Sequence, residues 1–310
     1  MSKFSKNRIS DLFIDRIRLF IYSIYITIMK TVCASCSAID YEHPVMSSKN
    51  KKPLWLENVD YVSQFIENHK SFAIKRAPKY NQIIELNLGK NQKGKKILYW
   101  AAQPESSLRI KDAKSAYNDF RNSGVALVNE NGIAKIHIQC PQPYKTTKKK
   151  SKKEESFYRH FHFVYSDKAY TLWEKQLYTQ IIICEKTYSQ VIHALNDGMT
   201  VVINALPSQY YAKDHIPNSY NLFHETIQKM SQQELFEWLQ YVIKYHYPKL
   251  YTYIKNKDLK LEEVPIICYC AHKNCDAGYK SIIELLNKGF IRVDDYKGGM
   301  EDYHKCHKVS

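Results

Sequence analysis

The hydrophobic rhythm of the chain changes along its length and divides it into three parts. Residues 19–29 are almost continuously apolar and follow a basic stretch with Lys3, Lys6, Arg8, Arg16 and Arg18. The run is too short to cross a bilayer comfortably as a helix, although its basic flank resembles a secretory signal. Lys30 follows directly, and no small-x-small cleavage pattern comes after it. The expectation is an intracellular, cytoplasmic protein, with a weak anchor or a start at Met29 as alternatives. Residues 39–53 are polar, contain Pro44 and Pro53, and break any periodicity, as a linker does. Residues 1–53 are therefore read as extension and linker.

Residues 54–186 read as an α+β or mainly β domain. Val62, Phe65 and Ile66 share one face of a helix within 54–75. Short apolar runs at 83–88 and 96–101 predict strands. Residues 110–121 predict a helix ended by Asn122, Ser123 and Gly124. Two alternating runs, 134–140 and 158–165, predict a hairpin closed by a long lysine-rich loop at 141–156. In that hairpin Ile136, Ile138 and Cys140 would pack with Phe161, Phe163 and Tyr165. The other face would set His137 and Gln139 against His160 and His162. Three imidazoles on one face are candidate zinc ligands. A polar sheet face with uncoordinated histidines is the simpler expectation, so no metal and no cofactor is assigned. The lysines between 145 and 153 repel one another and cannot bury, which suits a solvated loop.

Residues 187–310 alternate helix and strand. A short helix at 189–195 precedes a turn at Asn196–Gly198 and a buried strand at 199–204. Ser231 and Glu234 have capping-box spacing, opening a helix whose apolar face is Leu235, Trp238, Leu239, Val242 and Tyr245. A strand at 265–270, a helix at 277–288 and a last strand after Val293 complete the order. Strands separated by helices imply an α/β fold with a central parallel sheet.

Composition changes this picture little. At 310 residues the chain suits about two domains, and 44% hydrophobic content is ample for packed cores. The formal charge of +15 permits nucleic-acid or acidic-membrane partners. However, Lys, Ile, Asn and Tyr are abundant together, as AT-rich codons would impose, and the basic residues cluster in one loop. Neither nucleic acid nor membrane is expected as a partner. The eight cysteines do not form a small disulfide framework, and several sit in apolar runs, which suits a reducing compartment. Cys33 and Cys36 have redox or metal spacing, but no second such pair completes a site.

The chemistry concentrates at 265–277. An apolar strand ends at Cys270, a polar loop follows through Ala271, His272, Lys273, Asn274, Cys275 and Asp276, and a helix starts at Ala277. Ligands in parallel sheets bind at the carboxyl ends of the strands. Backbone N–H groups at a helix amino end stabilise an anion, so the expectation is an activated thiolate.

Three segments resemble the rhodanese-like sulfurtransferase family. Residues 215–219 (HIPNS) are similar to the family's His-Ile-Pro-Gly-Ala segment. Tyr269 and Cys270, with loop and helix, are similar to its active-site strand and loop. Residues 285–290 (LLNKGF) and 296–303 (YKGGMEDY) are similar to its closing signature. The resemblance implies a persulfide carried on Cys270, a small donor such as thiosulfate or a persulfide, and a thiol, other nucleophile or protein acceptor. Cys275 is either an alternative nucleophile or a resolving thiol. His272 and Lys273 would add positive charge near an anionic donor, and His215 would shape the loop. Two departures stand out. Asn204, Ala205 and Leu206 occupy the place of the family's Asp-x-Arg, and the loop has no arginine. From Cys270 the arginine position of the related phosphatases holds Asp276, whose charge would repel phosphate, so a phosphatase is disfavoured. An inactive protein-binding module and a Cys270/Cys275 redox switch are the alternatives to sulfur transfer.

Overall fold

The computed structural model describes residues 45–46, 60–147 and 154–308. The amino-terminal apolar run, Cys33, Cys36, most of the linker and the centre of the lysine loop lie outside the described residues. Among the described residues no helix is long and apolar enough to cross a membrane.

In chain order the elements begin with β1 (Val45–Met46), α1 (Asp60–Asn68), β2 (Gln82–Asn87), β3 (Lys96–Ala101), β4 (Lys111–Asp112), α2 (Ala113–Tyr117) and β5 (Ser123–Leu127). Next come β6 (Ile133–Ile138), β7 (Tyr144–Thr147), β8 (Glu154–Phe157), β9 (His160–Tyr165) and β10 (Tyr178–Ile181). The remainder is α3 (Tyr188–Asp197), β11 (Val201–Asn204), α4 (Ser208–Lys213), β12 (Tyr220–Asn221), α5 (His224–Lys229), α6 (Gln232–His246), α7 (Pro248–Lys255), β13 (Ile266–Tyr269), α8 (Ala277–Asn287), β14 (Val293–Tyr296) and α9 (Gly299–His307).

The first part is built on an antiparallel sheet in the order β1-β10-β9-β3-β5. Alternation along β9 sends Phe161, Phe163 and Tyr165 to one face, where they pack with Ile136 and Ile138 of the β2-β6 pair. The other face of the sheet, with Leu98, Trp100 and Val164, is covered by Val62 of α1, by Ala116 and Tyr117 of α2, and by Tyr144 and Phe157. The second part is a parallel sheet in the order β12-β11-β13-β14, the α/β architecture expected. Thr187 and Ser231 close capping boxes on α3 and α6, and Gly198 ends α3 in the left-handed conformation.

Four local expectations are corrected. The runs 134–140 and 158–165 do not form a hairpin: β6 pairs with β2, and β9 pairs with β3 and β10. Their apolar faces still meet, because the two sheets stack. The lysine loop instead closes the shorter β7-β8 hairpin. Gly124 does not end a helix but lies in β5, where a Cβ would sit 2.3 Å from both the Tyr99 hydroxyl and the Lys75 carbonyl. Cys140 and Cys184 are disulfide-bonded, so the cysteines are not all free thiols. On α6, Tyr245 faces solvent and Ile243 takes the buried place.

The two parts are joined by a buried ion cluster. Arg159, just before β9, pairs with Asp294 of β14 at 3.1 Å and with Glu105 at 3.3 Å. Arg292 pairs with the same Glu105 at 2.8 Å. Arg159 also donates to the Pro141 carbonyl, and Arg292 to the Leu108 carbonyl. Both guanidiniums and Asp294 are almost fully buried. Burial alone would raise the Glu105 carboxyl, but the guanidiniums of Arg159 and Arg292 outweigh it and hold it below its ordinary value. The Tyr158 hydroxyl reaches the Leu286 carbonyl, and the Ser156 hydroxyl reaches Glu263, across the same boundary.

Removing one partner of such a cluster strands a buried charge. Asp294→Ala is therefore expected to lower unfolding free energy by about 3–5 kcal/mol, measured by urea titration. Arg159→Met combined with Asp294→Leu should recover most of that loss, since an apolar pair of similar volume strands nothing. A loss below about 1 kcal/mol for Asp294→Ala would show that the cluster behaves as a solvated surface pair.

Candidate active site

The strand β13 lies between β11 and β14 and is buried on both faces, which accounts for its unbroken apolar run. Cys270 follows at its carboxyl end. Within the strand, Tyr269 is fully buried and works as a tie. Its hydroxyl accepts the Ile216 N–H at 2.9 Å and lies 2.7 Å from the Ser219 hydroxyl. Burial, offset in part by Ser219, pushes the phenol up to about 12, so it stays neutral. Residues 215–219 are thus fixed to the strand that carries the thiol. His215 stacks on Tyr211 and faces the Tyr211 carbonyl at 2.9 Å; it shapes its own segment. Asn204 at the end of β11 accepts the Leu206 N–H on its side chain at 2.9 Å, fixing the turn beside the site.

Around the sulfur, the structure brings Cys270, Cys275, Ala277, Ala205 and Leu206 into one small cluster. The Cys270 thiol faces the Cys275 carbonyl at 3.2 Å and the His272 carbonyl at 3.8 Å. Burial pushes the thiol up to about 12, and the Cys275 side chain adds to the rise, while the Gly278 and His272 amides act the other way. The resting thiolate expected from the helix amino end is therefore corrected. The amides are present, but burial and facing acceptors favour the protonated form. Cys268 is also buried, and burial with Asp295 and Asp294 holds its thiol well above the ordinary value. Cys306 lies on α9 beside Asp302.

His272, Lys273, Asn274 and Asp276 are exposed, Ala271 and Cys275 half-buried. Asp276 pairs with Lys280 one helical turn on at 2.8 Å, so its charge is locally balanced. Lys280 was not singled out from the sequence, yet the i, i+4 spacing from Asp276 carried the signal. The metal candidates separate. His137 lies on β6, half-exposed beside Tyr80, whereas His160 and His162 are buried on β9.

The base of the loop is gripped from behind. Met300 and Glu301 donate backbone N–H groups to the Cys270 and Ala271 carbonyls at 3.0 and 2.9 Å. That approach requires Gly299, whose φ is +61° and whose added Cβ would sit 2.4 Å from the Cys270 carbonyl oxygen. The glycine pair read as a family signature thus has a steric cause. Asp295 on β14 lies beside this region, and its carboxyl is raised to about 6 by burial and by Glu185.

Two outcomes follow. Gly299→Ala should lower stability by about 1–3 kcal/mol and loosen the loop, read as faster alkylation of Cys270 by iodoacetamide. Asp295 binds its proton more tightly when folded, so stability falls as pH rises from its ordinary value near 3.8 to about 6. Asp295→Asn should match the wild type near pH 4 and exceed it by about 1–3 kcal/mol at pH 7. Equal stability differences at both pH values would exclude that shift.

The family model described as rhodanese-like domain matches residues 187–306. Similar solved structures include the BH2092 protein from Bacillus halodurans, at 19% identity and TM-score 0.29, covering 40% of this chain and 73% of that one. An uncharacterised protein from Saccharomyces cerevisiae is similar at 18% identity and TM-score 0.30, covering 41% and 94% of the two chains. The human single-domain sulfurtransferase TSTD1 is similar at 14% identity and TM-score 0.28, covering 39% and 95%. No curated protein matches the sequence. The matched family model, the parallel sheet and the loop after β13 together identify residues 187–306 as a rhodanese-like domain.

Proposed function

We propose that this domain transfers sulfane sulfur through Cys270. The reading is carried by the position of Cys270, at the end of the central strand with the Gly278 and His272 amides directed at its sulfur. In the first step the Cys270 proton is lost and the thiolate attacks the outer sulfur of thiosulfate. The sulfur–sulfur bond of the donor breaks, sulfite leaves with the electron pair, and Cys270 becomes a persulfide. An acceptor thiolate then attacks the outer sulfur and leaves as a persulfide, returning Cys270 as thiolate. Lys273 on the exposed rim, beside His272, supplies positive charge for an anionic donor; this chain has no loop arginine to do so.

A second reading is favoured by the contact of Cys275 with Cys270. With hydrogen peroxide as oxidant, Cys270 would form a sulfenate with loss of water, and the Cys275 thiol would displace a second water to close a disulfide.

The test is intact-mass measurement of the reduced protein after incubation with thiosulfate. Uptake of one sulfur by the wild type and by Cys275→Ser, but not by Cys270→Ser, is the expected result. The uptake rate should climb about tenfold per pH unit between about pH 6 and 9, because the thiol titrates far above that range. No uptake from thiosulfate or from a low-molecular-weight persulfide would sink the proposal. Peroxide-driven loss of two thiols would then support the switch, and its absence a binding module without chemistry.

A further inference from the structure

We propose that Tyr117, Tyr144, His160 and His162 form a mononuclear metal site in the first part of the chain, with ferric iron as the cation its donors suit. The inference is independent of the sulfur chemistry, since these residues lie in the antiparallel part of the chain and not around β13.

The sequence places His160 and His162 two apart on β9, so both imidazoles leave the same face of the sheet. Tyr117 comes from α2 and Tyr144 from the first residue of β7, both of which cover that face. Four potential ligand atoms follow one another at close range. The Tyr117 hydroxyl lies 3.1 Å from that of Tyr144, the Tyr144 hydroxyl 2.9 Å from His160 Nε2, and His160 Nε2 3.1 Å from His162 Nε2. Ligand atoms at right angles around an ion at about 2.1 Å are about 3.0 Å apart. The spacing is that of adjacent ligands on one cation.

The orientation of the rings supports the same assignment. His160 Nδ1 faces the Tyr158 carbonyl at 2.5 Å. His162 Nδ1 lies 2.8 Å from the Thr179 hydroxyl. A neutral imidazole carries one N–H; the Tyr158 carbonyl opposite Nδ1 of His160 fixes it there and turns the Nε2 lone pair toward the cluster, and the Thr179 hydroxyl can do the same for His162. Metal-bound histidines are commonly held in this way. Both imidazoles are buried, so water does not compete for their Nε2 atoms. Trp100 packs against His162, and Phe157 against Tyr144. Two phenolates are hard anionic oxygen donors, and with two imidazoles they suit a small, highly charged cation better than a soft one. On ferric iron the set leaves a single net positive charge.

The experiment uses the full chain, stripped with a chelator, reloaded with ferric citrate, desalted and assayed by elemental analysis and visible absorption. About one iron per chain is expected, with a broad visible band from phenolate-to-iron charge transfer. Tyr144→Phe and Tyr117→Phe, which each remove one oxygen and little volume, should shift or abolish the band. His160→Gln with His162→Gln should remove the iron, circular dichroism confirming the fold. A wild type that retains neither iron nor zinc would overturn the site. So would a band unchanged in both tyrosine variants, or iron retained in the double histidine variant. Uptake of zinc(II) without ferric iron would overturn the choice of ion.

Discussion

The buried cluster of Arg159, Asp294, Arg292 and Glu105 is the constraint on which the rest of the structure turns. Two guanidiniums cannot leave water unless carboxylates and carbonyls meet them at fixed geometry. Glu105 comes from the segment after β3, Arg159 from the entrance to β9, and Asp294 and Arg292 from β14 and the residue before it. Satisfying all four at once fixes the antiparallel sheet against the parallel one. The backbone repeats the connection: the Asp295 N–H donates to the Cys184 carbonyl, and the Lys186 N–H to the Asp295 carbonyl. The ionic cluster therefore fixes register as well as proximity.

Chemistry at the thiol reflects a contest between burial and dipoles. Amides of Gly278 and His272 favour the anion, yet the sulfur also faces two carbonyls and almost no water. Desolvation of a thiolate is the larger effect here, so the loop at rest stores a protonated sulfur. In the proposed sulfur transfer, an anionic donor would meet positive charge at the exposed rim. For that reaction, deprotonation would have to accompany a change in the loop or the arrival of the donor; the exposed residues there are His272, Lys273 and Asn274, whereas the Cys270 carbonyl is held by Met300.

Much of the parallel-sheet domain was legible in the sequence because its signals are local. The capping box at Ser231, the turn at Asn196–Gly198 after a helix, and an apolar run ending at Cys270 each carry their own physical cause. The antiparallel part was less legible because its pairings are not. Residues 134–140 and 158–165 alternate correctly, and their apolar faces do meet, but alternation cannot distinguish strands paired edge to edge from strands stacked face to face. Gly124 read as a terminator because nothing local reveals that the Tyr99 hydroxyl occupies the space of its side chain. The disulfide between Cys140 and Cys184 has the same non-local origin. Tyr117 and Tyr144 went unmarked because a tyrosine becomes a candidate ligand only when folding sets it against histidines.

Placement of the soft and hard donors follows from the same architecture. Odd positions of β9 feed the face shared with β2 and β6, where Cys140 and Cys184 are joined to each other. Even positions carry His160 and His162 to the opposite face, among tyrosines. Thiols that would compete for a borderline cation are thus tied up on one side of the sheet, and hard oxygen donors gather on the other. Asp294 reaches toward that disulfide, but its charge is already engaged by Arg159 and Lys186. The free thiols Cys270 and Cys275 lie in the loop after β13 of the separate parallel sheet. Alternation along one strand, fixed by the arginine just before it, is sufficient to keep the two proposed sites apart.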